Sequence, residues 1–142
     1  MIKYKRIDNS LPEPKYETAG AVGLDLYSRI DIVVKPQMIE LIPCNIIVET
    51  PEDCLMMVAA RSSTPLKKGL MTANGVGIID HDYCGPDDEI KYQAYNFTDE
   101  PVFISRGTRL AQLLFLKMDK PELQEVAEMP TKESRGGFGT TG

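Results

Sequence analysis

Histidine is nearly absent from this chain: 142 residues contain one, His81, set between Asp80 and Asp82. Cysteine is scarce as well. Cys44, Cys54 and Cys84 form no C-x-x-C pair and leave an odd count. These scarcities argue against a metal centre built on imidazole and thiolate ligands, and they suit a reducing compartment where thiols stay free. His81 reads as a solvated turn residue. No apolar run reaches the roughly 20 residues that a spanning helix needs. The Met-Ile-Lys-Tyr-Lys start lacks the apolar core of a secretion signal. A cytoplasmic location without a membrane partner is therefore expected. Positive charge is also limited, with 16 Lys and Arg against 21 Asp and Glu and a net charge of −5. General nucleic-acid binders need clustered Lys and Arg, so no nucleic-acid partner is expected. Any phosphate would be held locally, by a few placed cations and backbone N–H groups.

What is present reads as one ordinary domain, 42% hydrophobic and 26% charged, of a length that supports a real core. Segments 37–50, 55–60, 89–97, 102–105 and 109–117 are short, rich in Ile, Val, Leu, Phe and Tyr, and bounded by Pro, Gly, Asp or Asn, as strands are. Ten Pro and eleven Gly punctuate the chain at the intervals of β-sandwiches and jelly-roll-like barrels. One short helix is expected after Ser62-Ser63-Thr64, whose hydroxyls suit an N-cap, with Pro65 in its first turn and Gly69 as its stop. Beyond Pro130 the chain turns polar and Gly-rich. Residues 1–130 then form the β domain, and 131–142 a flexible segment that is either a frayed end or an arm ordering over a ligand.

Chemistry concentrates in residues 74–85, Asn-Gly-Val-Gly-Ile-Ile-Asp-His-Asp-Tyr-Cys-Gly. The stretch sets a carboxylate, Asp80, three residues before a phenol, Tyr83. Val76, Ile78 and Ile79 are expected to anchor it in the core, which would hold both groups rigidly. A tight hairpin with an Asp-rich turn is the alternative. Arg61-Ser62-Ser63 sits where a strand meets the expected helix, a place suited to a phosphate or to simple capping. Asn74 can offer a base edge a donor and an acceptor, or merely turn the chain. Asp25 can hold a cation-bound water or cap a strand end.

These segments resemble, in order, the motifs of the trimeric deoxyuridine triphosphatase (dUTPase) family: Gly23-Leu24-Asp25-Leu26-Tyr27-Ser28, Arg61-Ser62-Ser63, the 74–85 stretch, Arg109-Leu110-Ala111-Gln112-Leu113, and Arg135-Gly136-Gly137-Phe138-Gly139-Thr140-Thr141-Gly142. The resemblance implies an all-β, jelly-roll-like barrel or sandwich (the β-clip type) with one short helix. It also implies a homotrimer with shared active sites and a C-terminal arm that closes over them. The implied reaction is hydrolysis of dUTP to dUMP and pyrophosphate by water attacking the α-phosphorus, which keeps uracil out of DNA and supplies dUMP for dTMP synthesis. Asp80 would activate the water. Asn74 and the backbone of Gly77, Ile78 and Ile79 would read uracil, and Tyr83 would pack on the deoxyribose to exclude a 2′-hydroxyl. Arg61, Ser62, Ser63 and Gln112 would contact phosphates, and Lys91 joins this substrate-binding set. Arg109 is expected to be structural and Asp82 to lie on the surface. From the arm, Phe138 would stack on the base, while Gly139 and Thr140 wrap the phosphates and Arg135 reaches the γ-phosphate. Mg²⁺ would be held through a water on Asp25.

Two departures stand out. The family's terminal motif places its Arg five residues before Phe, whereas Arg135 is three before Phe138 and Glu133 occupies the usual position. An acidic, turn-like insert also follows Gly85, at Pro86-Asp87-Asp88. Two other functions fit parts of the pattern: a dCTP deaminase-like enzyme, and a non-catalytic nucleotide-binding regulator. The first carries a Glu in place of Asp-x-x-Tyr, and the second would not need an intact Asp80, Tyr83 and Phe138.

Overall fold

A computed structural model describes residues 1–130 and 133–139. Eleven strands and one single-turn helix make up the regular structure of the described residues. They are β1 (Lys3–Arg6), β2 (Leu24–Tyr27), β3 (Ile32–Val34), β4 (Ile39–Pro43), β5 (Ile46–Glu49), β6 (Cys54–Ala60), α1 (Thr64–Lys68), β7 (Leu70–Thr72), β8 (Gly77–Ile79), β9 (Lys91–Asn96), β10 (Val102–Ile104) and β11 (Arg109–Lys117). The all-β class with one short helix is as expected. The strands fall into four sheets, ordered β1-β5, β10-β3, β2-β11-β6-β8 and β4-β9-β7, every pairing antiparallel.

Period-two burial produces the core. Cys54, Met56 and Val58 of β6, and Tyr92, Ala94 and Asn96 of β9, alternate inward along their strands. Met56, Val58, Tyr92 and Ala94 meet Leu26, Ile42, Leu70 and Leu113 in one cluster. The segment expected as one strand over 37–50 is broken in two by Asn45, which takes a left-handed φ of 70°. Asn can do so because its short amide bonds locally: its Nδ2 donates to the Asp8 carbonyl at 3.0 Å, and its Oδ1 accepts from the Asp8 N–H at 2.7 Å. The break exposes the Asn45 N–H, which donates to Glu89 Oε1 at 2.8 Å. Arg29 completes the cluster with two bonds to the Glu89 carboxylate, at 2.8 and 2.9 Å.

The helix begins at Thr64, but its expected hydroxyl cap is absent. Ser63 is α-helical and makes no side-chain cap bond. The Thr64 hydroxyl donates instead to the Leu110 carbonyl at 2.7 Å, tying α1 to β11. Gly69 stops the helix with φ 66°, a conformation that favours glycine; a Cβ there would lie 2.3 Å from the Thr98 methyl.

The thiols divide by environment. Burial pushes the Cys44 thiol up to about 12, Cys54 is also buried, and Cys84 is half-exposed in the loop after Tyr83. Since the thiolate is the reactive form, a native-state titration with a chromogenic disulfide should label one thiol per chain, at Cys84. Denaturant should then release the other two. Rapid native labelling of Cys44 would contradict this packing.

Candidate active site

Strand β8 is the edge of the four-stranded sheet, registered on β6 through Met56↔Ile79, Met57↔Ile78 and Val58↔Gly77. Leaving the sheet after Ile79, the chain turns at once, with the Tyr83 N–H donating to the Asp80 carbonyl at 3.2 Å. The turn projects Asp80 and Tyr83 into a groove of about 350 Å³ lined by Ile78, Ile79, Lys91 and Gln93, with Leu41 and Ile90 behind. The Asp80 carboxylate accepts no hydrogen bond among the described residues, so its lone pairs face the groove. A smaller recess of about 100 Å³ shares Ile78, Ile79, Lys91 and Gln93 with this groove and adds Asn74, Gly77 and Thr72. One continuous depression therefore unites Asn74, Gly77, Ile78, Ile79, Asp80, Tyr83 and Lys91. The expected core anchoring is only partly met: Ile79 packs on the core, whereas Val76 is 40% and Ile78 56% exposed. The edge position of β8 explains this, since no strand covers its outer side. His81 is half-buried in the turn, and Asp82 is on the surface as expected. The acidic insert closes on itself. The Gly85 N–H donates to Asp88 Oδ2 at 2.7 Å and the Asp88 N–H to the Gly85 carbonyl at 3.1 Å.

A second pocket, of about 260 Å³, is built on β2, β11 and the end of β6 and shares no lining residue with the first. Asp25, Arg61, Ser62, Arg109 and Gln112 line it, with Glu17 and residues 21–23 on the N-terminal side. Asp25 is its centre. Arg61 Nε lies 2.8 Å from Oδ1, and Arg109 Nη1 donates to Oδ2 at 3.0 Å. The pair-wise clamp explains how an Asp between two leucines is held 8% exposed. It also fixes both guanidinium planes, leaving their remaining N–H groups for an anion. Gln112 is fastened by Nε2 donating to the Ala60 carbonyl at 3.1 Å. Gly23 allows that packing, because a Cβ there would stand 2.7 Å from Gln112 Oε1. Tyr27, the last residue of β2, has its phenol raised by burial first and then by the charges of Glu17 and Asp25, with Arg109 and Arg61 opposing.

Arg109 makes the structural contact expected of it, the ion pair with Asp25, and reaches the pocket wall through a break in strand alternation. A β-bulge interrupts the β11–β2 register between Arg109 and Ala111, and Leu110 and Ala111 are both fully buried. The extra residue shifts the facing by one, so Arg109 and Gln112 reach the same pocket despite being three apart. Glu17 gave no motif signal at all. It arrives because segment 7–22 is pinned across the surface. The Arg106 guanidinium bonds Asp8 and Ser10, and holds the Asp8 carboxyl well below the usual carboxylate range.

The arm residues stand apart from both pockets. Arg135, Phe138 and Gly139 are exposed and line neither, with Phe138 at a φ of 49°. Ser63 is half-buried at the start of α1, outside the pocket lining, and Thr140 falls outside the described residues. For a divalent cation, the described residues contain no cluster of three or more His, Cys, Asp or Glu. Asp25 fits a water-mediated contact: each of its oxygens has one guanidinium partner and keeps a further lone pair. It does not suit a direct ligand, since both oxygens are already engaged.

Comparison with known proteins gives the family. The dUTPase family model covers residues 9–142. A deoxyuridine 5'-triphosphate nucleotidohydrolase from Dictyoglomus turgidum is 40% identical over 97% of this chain and 95% of its own length. The crystal structure of dUTPase from Streptococcus mutans superposes with a TM-score of 0.77 at 31% identity, covering 84% of this chain and 98% of that one. The Staphylococcus bacteriophage 80alpha dUTPase with dUPNHPP shares the fold at a TM-score of 0.86 and 23% identity, covering 100% of this chain and 98% of its own. The chain belongs to the dUTPase family.

Proposed function

We propose that this protein hydrolyses dUTP to dUMP and pyrophosphate, with Asp80 as the base that activates water for attack at the α-phosphorus. The observation that carries the proposal is the groove in which Asp80 and Tyr83 meet the recess of Asn74 and Gly77. A neutral water is a weak nucleophile, and an unengaged carboxylate at the groove wall orients it and takes its proton. Asn74 and the edge backbone of β8 read the uracil. The Tyr83 ring packs against the sugar and leaves no room for a 2′-hydroxyl, so UTP is rejected by exclusion. Arg61, Ser62 and Gln112 hold phosphates, and Arg109 joins them. Mg²⁺ bound with the triphosphate would supply positive charge against that developing on the phosphate oxygens, and Asp25 would hold it through a water.

In this reading the working unit is a homotrimer with shared sites. Two features support it. The groove and the Arg-lined pocket share no lining residue on one chain, so a neighbour's pocket can complete each groove. An apolar row also crosses the outer face of the β4-β9-β7 sheet, where Ile39 and Met71 flank Tyr95 in register. Ile39 and Met71 are 53% and 44% exposed, as befits a face that another subunit covers. Residues 131–142 act as the arm that closes over the neighbour's site, with Phe138 stacking on uracil and Gly139, Thr140 and Arg135 at the phosphates. The role in limiting uracil in DNA, in supplying dUMP, and a cytoplasmic setting belong to the same reading.

Pyrophosphate release from dUTP, dCTP and UTP, measured side by side, tests the reaction. Release from dUTP alone is expected. Ammonia from dCTP would indicate a deaminase, and no turnover of any of the three a binding protein. Site sharing is tested by co-refolding Asp80→Asn chains with chains truncated after Pro130. Each parent should be nearly inactive, and the mixture should regain activity because some sites combine an intact Asp80 with an intact arm. A monomer by light scattering, or no recovery on mixing, rules sharing out.

A further inference from the structure

The Arg-lined pocket is unexpectedly balanced. Its walls carry two cations, Arg61 and Arg109, and two anions, Asp25 and Glu17, for a formal charge of zero. Asp25 has a structural reason to be there, since it clamps both guanidiniums. Glu17 has none of comparable strength. Its Oε1 stands 3.7 Å from Arg109 Nη1, beyond hydrogen-bond range, with its side chain 39% exposed. Lys15 lies 3.8 Å from the other oxygen, 65% exposed and outside the pocket lining. Glu17 therefore contributes little to holding the pocket together, yet it places a full negative charge beside the guanidinium that an anion would approach.

We propose that Glu17 is a specificity-determining residue that makes this pocket select the cation-loaded triphosphate over the bare one. The inference rests on the dUTP reading above. A bare nucleoside triphosphate carries about two more negative charges than its Mg²⁺ complex, and repulsion from a fixed carboxylate scales with that charge. Removing Glu17 would leave a pocket of net charge +1, which binds either form more tightly but favours the bare form more. The carboxylate thus trades affinity for discrimination. It keeps uncomplexed nucleotide, which lacks the cation's help in neutralising charge, from occupying the site unproductively.

The test uses the full-length protein and the non-hydrolysable analogue α,β-imido-dUTP, with affinity measured by calorimetry in Mg²⁺ and in EDTA. The readout is the ratio of the two affinities. Glu17→Gln, which keeps the shape, should reduce the magnesium preference by roughly three- to tenfold, the size of a two-charge difference acting through a solvent-screened site. Most of that change should come from tighter binding in EDTA. Glu17→Lys should reduce the preference further, and Glu17→Asp should retain it. A preference unchanged in both Gln and Lys variants overturns the proposal, as does a parallel change in both affinities, which would mark Glu17 as merely structural. Failure of the wild-type protein to bind the analogue in either condition would instead remove the dUTP reading itself.

Discussion

Asp80→Asn is expected to lower dUTP turnover by roughly 10²- to 10⁴-fold, the contribution typical of a positioned general base. Asparagine keeps the planar shape and can still orient a water, but it has no basic oxygen to take the proton as the bond to phosphorus forms. Folding should be unaffected, because the Asp80 carboxylate is exposed at the groove and accepts no hydrogen bond among the described residues. Binding of α,β-imido-dUTP should change little, since that complex forms before any proton moves. Steady-state pyrophosphate release, paired with a thermal melt and an analogue titration, separates these outcomes. A well-folded variant working within about tenfold of wild type, or roughly 1.4 kcal/mol of barrier, would move the base elsewhere. His81 and Asp82, the imidazole and second carboxylate of that turn, would then be the residues to substitute.

Arg29→Met should be the most damaging change away from the site. Glu89 is 6% exposed, and its carboxylate receives two bonds from Arg29 and one from the Asn45 N–H. Removing the guanidinium strands an anion in the interior, which is costlier than losing both partners together. A loss of about 3 kcal/mol is expected, the low end for a broken buried pair because Arg29 is itself 31% exposed. The double variant Arg29→Met/Glu89→Gln should recover part of that loss, since no buried charge remains. Urea unfolding monitored by circular dichroism reads both. Pairing with Glu89 holds the Arg29 guanidinium above its already high ordinary value, so its charge, and its share of the stability, persists through neutral and mildly alkaline pH. If Arg29→Met cost under about 1 kcal/mol, a surface-like value, the cluster would not be what holds the β4–β5 break.

Much of this fold was legible before any coordinates. Strands β6, β9, β10 and β11 fall within a residue or two of their expected positions, because their alternation and their Gly, Pro and Asp boundaries are local properties. The Pro65 start and Gly69 stop of the helix were legible for the same reason. Strands β1, β3 and β7 gave little signal, being three or four residues long and defined by their partners. The Asn45 break leaves no local signal either, since its left-handed turn is stabilised by Asp8, 37 residues away.

The site divides along the same line. Sequence by itself determined which residue types stand in which order: the Asp-x-x-Tyr turn, the Arg-Ser-Ser step and the buried-strand Asp are motif properties carried by a handful of neighbouring positions. Only the tertiary structure decided which of them share a space. It put the Asp80 groove and the Arg61 pocket on different residues of one sheet, with no lining residue in common. Through a one-residue bulge it brought Arg109 onto the pocket wall, where strict alternation would have faced it away. It also carried Glu17 there, by pinning a segment without regular structure to Arg106, a residue 89 positions further along the chain. Spacing in sequence encodes facing only while the strand keeps its period. A bulge or a long-range ion pair is settled by the partner strand, which no local pattern contains.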